Sequence, residues 1–450
     1  MANDNSLKTL LKTSDSNCAL QRLNRPRVLF LAYAFPPLAV PGSVRAGYLA
    51  KYLARMGWEV TVVTPHPSLW FRTDSPEKIE RMLPQEGIRR ITTGLRWPWL
   101  DKGFVRSGHH GLAWVMSGIG QRITHRLNIE NQVGWVPEIA KACRILHPGD
   151  VDVILATGNP FVAFRAARRL AQRLGVPFVL DYRDPWNHNP HVSSPRPPRV
   201  EAEERSLLRD CAAVTIVSAS LALSLQQHFP GVKDVQVVTN GYDPEDLANL
   251  QPRDFGHFAI VYSGSFYPPK RVITPLMKAL HKLASLQVAT LPEWRFHYLG
   301  SDREHILAEA EKYGVRDRVV LQGRLSREES LSAVAGAGMS VVITTVQEEA
   351  SLEGRGIVTG KVFESLGLGS RVLLIAPVGS DAEAMVEGTN CGKRFAGNQT
   401  GEIANYLREV MCGLHPKPVP PGQYAWTEIA RTLSTLLRRV VDERRCKPHN

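Results

Sequence analysis

Four absences narrow what this chain of 450 residues can be. Its six cysteines, at positions 18, 143, 211, 391, 412 and 446, include no Cys-x-x-Cys pair. That pattern argues against a zinc site or a disulfide framework and for free thiols in a reducing compartment. No run of about 18 apolar residues occurs, so nothing is long enough to span a bilayer. Residues 1–25 are polar and mixed in charge, without the apolar stretch of a signal peptide, and are expected to be a flexible leader. The fingerprint Gly-x-Gly-x-x-Gly is missing, which disfavours a nicotinamide or flavin cofactor.

What is present describes a folded chain, with 43% apolar and 22% charged residues. Its length exceeds one ordinary core, so two domains of roughly 200 residues are expected. The net charge of +12 calls for an anionic partner: nucleic acid, a membrane surface or a phosphorylated substrate.

The most informative stretch is Gly354–Ile375. It reads as a glycine-rich loop, a helix over 359–366, a Gly-Leu-Gly-Ser turn and a strand over 371–375. Thr359 is placed to cap the helix. Gly360 in the first turn lets a ligand approach exposed backbone N–H groups, where the helix dipole favours an anion. Lys361 adds a positive charge, and Glu364 follows on the same face, either as an acceptor for ribose hydroxyls or simply as the i,i+3 ion-pair partner of Lys361.

Strands and helices alternate along the rest. Apolar runs at 27–33 and 58–64 flank a helix over 43–56, which places Gly42 and Ser43 at a strand-to-helix crevice. Further strands are expected at 151–157, 177–182, 213–218 and 235–239, with Gly158, Asn159, Asp184 and Asn240 at their carboxyl ends. Arg183 and Asp184 could equally be a plain ion pair. His188-x-x-His191 has metal-like spacing but sits in a Pro/Asn loop. A second series runs from Phe258 through strands at 294–299, 319–321, 340–344 and 371–375, so two doubly wound α/β halves with a ligand cleft between them are expected. In 66–135 the periodicity fades. Trp70, Trp97, Trp99, Trp114 and Trp135 mix there with Arg89, Arg90, Arg96, Lys102, Arg106, Arg122 and Arg126, which suits either an insertion with its own core or an anionic membrane surface. No nucleic-acid motif accompanies them, so nucleic acid is not expected as a partner.

Several stretches together resemble retaining glycosyltransferases of the GT-B fold, in particular the bacterial family 4 group that makes polysaccharides and glycolipids. They are Tyr33-Ala-Phe-Pro-Pro with Gly42-Ser43-Val-Arg45, Asp181-Tyr-Arg-Asp-Pro-Trp186, Asn240-Gly241-Tyr242, Tyr262-Ser-Gly264-Ser with Lys270, and Gly360-Lys361-Val-Phe-Glu364. The resemblance implies an acceptor domain over 26–250, carrying the 66–135 insertion, a nucleotide-sugar domain over 255–415, and a helix over 422–442 packing back on the first domain. It also implies a reaction: transfer of a sugar from a nucleotide-diphosphate sugar to a saccharide or lipid-linked acceptor, in the cytoplasm. The tryptophans and basic residues of 66–135 separately suggest peripheral association with the inner face of the membrane.

By the same resemblance, Lys270, Lys361, Glu364 and Asp184 would be catalytic. Gly264, Ser265, Arg271, Gly323, Arg324, Leu325, Glu353, Gly360 and Val362 would hold the donor, and Gly42, Ser43, Gly158 and Asn159 would face the acceptor. No metal and no cofactor beyond the donor substrate is implied, since basic residues would neutralise the departing diphosphate. The chain departs from the family at two places: Ser265 stands where many members have arginine, and Gly356 where a first glutamate is common, leaving Glu353 as the nearest carboxylate. A binding protein that has lost catalysis, or an epimerase of the same fold, are the alternatives.

Overall fold

The computed structural model describes residues 25–69, 87–97, 100, 118–120, 122, 124, 126, 130–190, 196–285 and 291–446. The apolar runs become two wholly parallel sheets. In the first, the spatial order is β3-β2-β1-β4-β5-β6-β7, with β1 at Arg27–Leu31, β2 at Glu59–Pro65, β3 at Ile88–Thr93, β4 at Val153–Gly158, β5 at Phe178–Tyr182, β6 at Ala213–Ile216 and β7 at Val235–Val237. In the second it is β10-β9-β8-β11-β12-β13, with β8 at Phe258–Ser263, β9 at Trp294–Leu299, β10 at Val319–Leu321, β11 at Met339–Ile343, β12 at Val372–Ile375 and β13 at Gly392–Phe395. Among the described residues every strand is joined to its neighbour in parallel register, for instance Phe30 opposite both Val62 and Leu155. Helices cover both faces, which is why β1, β4 and β5 are buried along nearly their whole length.

The order of strands reverses between β1 and β4 in one sheet and between β8 and β11 in the other. At such switch points adjacent crossovers turn to opposite faces and leave a crevice beyond the strand carboxyl ends. Gly42 and Gly158 lie at the first, Gly264 and Thr344 at the second.

The 426–445 helix crosses back to the first half. Trp426, Ile429, Leu433, Leu437 and Val440 join Val28, Phe30, Leu49 and Trp58 in one core, the Trp58 indole donates to Ser434 Oγ at 2.8 Å, and Trp426 stacks on Tyr48. Each fully buried Leu or Val contributes about 1.5–3 kcal/mol, so this helix is a structural part of the first half.

The segment 66–135 differs from expectation in two ways. It contains β3, the edge strand, whose apolar Ile88 and Ile91 alternate with exposed Arg89 and Arg90, a charged edge that discourages pairing with another chain. Trp135 is fully buried, donating to Thr93 Oγ1 at 2.8 Å and meeting the Tyr33 ring edge-on, so it belongs to the core and is not available to a membrane. Trp97 is 45% exposed, with the Arg96 guanidinium over its ring. Trp70, Trp99, Trp114, Lys102 and Arg106 lie outside the described residues. The second sheet is also larger than expected: helices Asp381–Gly388 and Thr400–Met411 bracket the extra strand β13.

Candidate active site

Two adjoining cavities open between the halves and share Arg45 and Asn240. The larger, about 420 Å³, is lined by Tyr48, Asp246 and Trp426 from the first half and its returning helix, and by Arg327, Gly360, Lys361 and Glu364 from the second. The smaller, about 220 Å³, is lined by Gly42, Arg183 and Asp184 on one side and by Glu353, Gly356 and Val358 on the other.

Arg45 forms the partition. It is buried, donates from Nη2 to Asp181 Oδ1 at 2.7 Å and from Nε to Oδ2 at 3.1 Å, and reaches the carbonyls of Val238 and Thr239. Burial alone pushes the Asp181 carboxyl up, but Arg45 and the hydroxyls of Thr215 and Thr157 outweigh it and hold the group below its ordinary value. This network ties together the carboxyl ends of four strands. Arg45 lies in the Gly42-Ser43-Val-Arg45 stretch, but its partners Asp181 and Val238 are 136 and 193 residues away, so this role leaves no local sequence signal.

On the second half, the Gly360–Gly367 helix points its first turn into the larger cavity. Thr359 does not cap it: the hydroxyl accepts from neither N2 nor N3 and lies buried without a partner. Val362 turns its side chain into the core, so only its backbone can face a ligand. Gly264, at φ +141°, lies against Lys361; a Cβ there would stand 2.8 Å from Lys361 Cε, so the close approach requires glycine. Burial draws the Lys361 ammonium below its ordinary value, with Glu364 opposing that shift and Arg271 adding to it. Arg271 is half-buried, its Nε towards the Thr344 carbonyl at 3.5 Å. Lys270 is exposed at the loop's rim with only its carbonyl engaged, by Val346 N, so of the two candidate cations it is Arg271 that turns towards Lys361. Ser265 offers its carbonyl to the Tyr262 hydroxyl.

The i,i+3 ion pair between Lys361 and Glu364, one of the two readings of this helix, does not form. Glu364 Oε1 accepts instead from Arg327 Nη1 at 2.5 Å. Gly323 takes φ +73° in the loop leaving β10, Arg324 is exposed, and Leu325 packs beneath the Arg327–Gly336 helix.

In the smaller cavity, Gly354–Arg355 belong to a short helix, Leu352–Arg355, and not to a loop. Glu353 reaches across to the first half, accepting from Ser224 Oγ at 2.5 Å and standing 3.5 Å from His228 Nε2. Burial pushes its carboxyl up, but these bonds outweigh it and hold it low. Gly356 sits against Leu221 and Ser218, so the family's first glutamate would have no room here.

Ser43 proves to be structural: it is buried, and its hydroxyl donates to the carbonyls of Val40 and Leu38. Arg183 does not pair with Asp184; it donates to the carbonyls of Gly158, at 2.7 Å, and Asn159, and presses on Gly42. Asp184 is left exposed at the cavity. Beneath this loop, buried Glu204 accepts from the Tyr182 hydroxyl at 3.0 Å and from Asn187, and burial pushes its carboxyl up to about 7. His188 stacks on His228, and His191 lies outside the described residues.

Among the described residues no group of three His, Cys, Asp or Glu could hold a metal. Asp150-Val151-Asp152 has the spacing of a metal-binding pair, but it precedes β4 at the sheet's opposite end, where Asp152 bonds Arg27.

Residues 42–241 match the family profile described as glycosyl transferase 4-like domain. The chain has the two-domain GT-B fold, and its first half carries a glycosyl transferase 4-like domain. No curated protein sequence matches this chain. Its fold is similar to that of sucrose-phosphate synthase from Thermosynechococcus elongatus, at 15% identity and TM-score 0.63, covering 93% of this chain and 100% of that one. It is similar too to a glycosyltransferase from Rickettsia africae ESF-5, at 13% identity and TM-score 0.54 over 93% and 94% of the two chains. The lipopolysaccharide outer core galactosyltransferase WaaB aligns at 12% identity and TM-score 0.54 over 93% and 99%. No described helix is long and apolar enough to cross a membrane.

Proposed function

We propose that this chain is a glycosyltransferase that takes its sugar from a nucleotide-diphosphate sugar and passes it, with retention, to a saccharide or lipid-linked acceptor. The supporting observation is that Lys361, Glu364 and the open first turn at Gly360 share one cavity between the halves. Lys361, with Arg271 behind it, holds the diphosphate and neutralises the charge that develops as it leaves; preorganised cations in a partly desolvated site stabilise that transition state strongly. Glu364 accepts from the ribose hydroxyls, and the backbone of Gly323–Leu325 borders the base. The sugar extends toward Gly356 and Asp184, where the acceptor hydroxyl enters from the side of Gly158 and Asn159. The departing phosphate oxygen takes the acceptor's proton, so the reading requires no protein base and no metal.

The test compares the wild type with Lys361→Ala and Glu364→Ala on a panel of nucleotide sugars. Transfer should fall by about 100-fold or more in Lys361→Ala, the scale of losing one transition-state contact. Equal rates in all three proteins refute the assignment. One observation favours a second reading, a nucleotide-sugar-binding protein without turnover: Gly356 leaves no space for the family's first glutamate. Saturable donor binding with no product, with or without acceptor, would decide for it.

The remaining proposal concerns location, in the cytoplasm at the inner face of an anionic membrane. Exposed Trp97 and Ile119, near the basic residues of the 66–135 segment, motivate it.

A further inference from the structure

Lys361 and Glu364 stand three residues apart on one helix, the spacing at which opposite charges meet. Left alone they would pair, and the lysine would be occupied by its own helix. In the structure Glu364 is drawn away by Arg327, whose Nη1 lies 2.5 Å from Oε1, while no carboxylate among the described residues comes within ion-pair distance of Lys361. Arg327 is itself firmly placed. It opens the Arg327–Gly336 helix, behind a capping box in which Ser326 Oγ accepts from Glu329 N and the Glu329 carboxylate accepts from Ser326 N. Its second nitrogen lies 3.9 Å from Asp246 Oδ2 of the first half, and Asp246 is fixed by the Tyr48 hydroxyl. The guanidinium therefore has carboxylates on two sides and one rigid helix behind it.

We infer that Arg327 is a positioning residue: by holding Glu364 it keeps the Lys361 ammonium unpaired for the donor's phosphates, and by reaching Asp246 it makes that arrangement depend on the two halves being together. The inference rests on the reading of Lys361 as a phosphate ligand, and the experiment separates the two.

Inorganic pyrophosphate, which has no ribose to engage Glu364, is titrated calorimetrically into the full-length protein and its variants. Arg327→Gln should weaken binding about five-fold, the upper range for one partly exposed ion pair, because Glu364 then turns to Lys361. Arg327→Gln with Glu364→Gln should restore wild-type affinity within about two-fold, since the competitor for the lysine is gone. Glu364→Gln alone should leave pyrophosphate affinity unchanged, because Lys361 is already free. The proposal is overturned if Arg327→Gln binds like the wild type, or if the double variant stays as weak as Arg327→Gln, which would make Arg327 a direct phosphate ligand. It is overturned also if Glu364→Gln tightens binding as much as Arg327→Gln weakens it, since net charge alone would then explain the series. Undiminished binding in Lys361→Ala, by contrast, overturns the donor-site reading itself.

Discussion

Gly356 has φ −72°, an ordinary helical value. Alanine there carries no backbone strain and would by itself stabilise the chain by about 0.4–1 kcal/mol through the unfolded state. The surroundings reverse that sign. An added Cβ would lie 2.5 Å from Leu221 Cγ, 2.9 Å from Ser218 Oγ and 3.0 Å from Leu221 Cδ2, all on the opposite half of the molecule. An ordinary contact needs close to another ångström, and the neighbours cannot supply it cheaply. Ser218 is fully buried, and the helix beginning at Ala219 is held to the second half by Asp381 Oδ2 on Ser220 N, at 2.9 Å, and by Glu353 on Ser224.

Overpacking of this kind costs about 1–3 kcal/mol. Because the clash lies between the halves, it weakens their association by about five-fold to over a hundred-fold while leaving each core intact. The expected result for Gly356→Ala is therefore a raised donor KM with little loss of thermal stability, together with faster amide exchange over 219–228. Gly356→Ala with Leu221→Ala should recover both. Wild-type kinetics and exchange in Gly356→Ala would refute the reasoning, as would a failure of Leu221→Ala to rescue it.

Further outcomes follow from buried charge. Glu204 has its pKa raised in the folded state to about 7 from an ordinary value near 4.5, so the folded form binds the extra proton between those values. Stability should fall as pH rises through that window; Glu204→Gln should flatten the slope in urea titrations at pH 5 and 8, and an unchanged slope would count against it. Lys51 is fully buried, with Asp243 Oδ2 at 2.7 Å and Glu245 at 2.8 Å, and Tyr52 also donates to Asp243. Lys51→Met strands that carboxylate and should cost about 3–5 kcal/mol by chemical denaturation; a loss below about 1 kcal/mol would show the charge re-solvated. Flotation with anionic liposomes at low salt should carry the protein upward, and more weakly at high salt; failure to float at low salt removes the membrane proposal.

Much of the architecture was legible because parallel strands buried on both faces leave continuous apolar runs. Phe258–Ser263 and Trp294–Leu299 were readable to the residue. Shorter or more polar elements were not. β13 is Gly-Lys-Arg-Phe, with one buried side chain, and β3 carries two exposed arginines. The helix before β13 does carry a signal that the sequence reading passed over, since Ser380 accepts from Glu383 N in the Ser-x-x-Glu spacing of an N-terminus. Within the site, motif residues such as Lys361 and Glu364 could be found, but their partners could not. Arg327, Asp246 and Ser224 reach them only through tertiary geometry, and so the ion pair suggested by adjacent turns of one helix gave way to one across elements. The assignment of Ser43 and Val362 to ligands failed for a related reason: position in a motif does not say which way a side chain points.

The return of the 426–445 helix onto the first sheet makes the two halves unequal as folding units. The second sheet and its helices come from one uninterrupted stretch, whereas the first half borrows a wall made only after all of the second has left the ribosome. Until then Val28, Phe30 and Trp58 keep only the cover that Leu49, Leu53 and their neighbours on the Pro41–Arg55 helix provide. A nascent chain therefore carries that face half-covered until its last helix is made, and transiently exposed apolar surface of this kind is where incomplete chains associate wrongly.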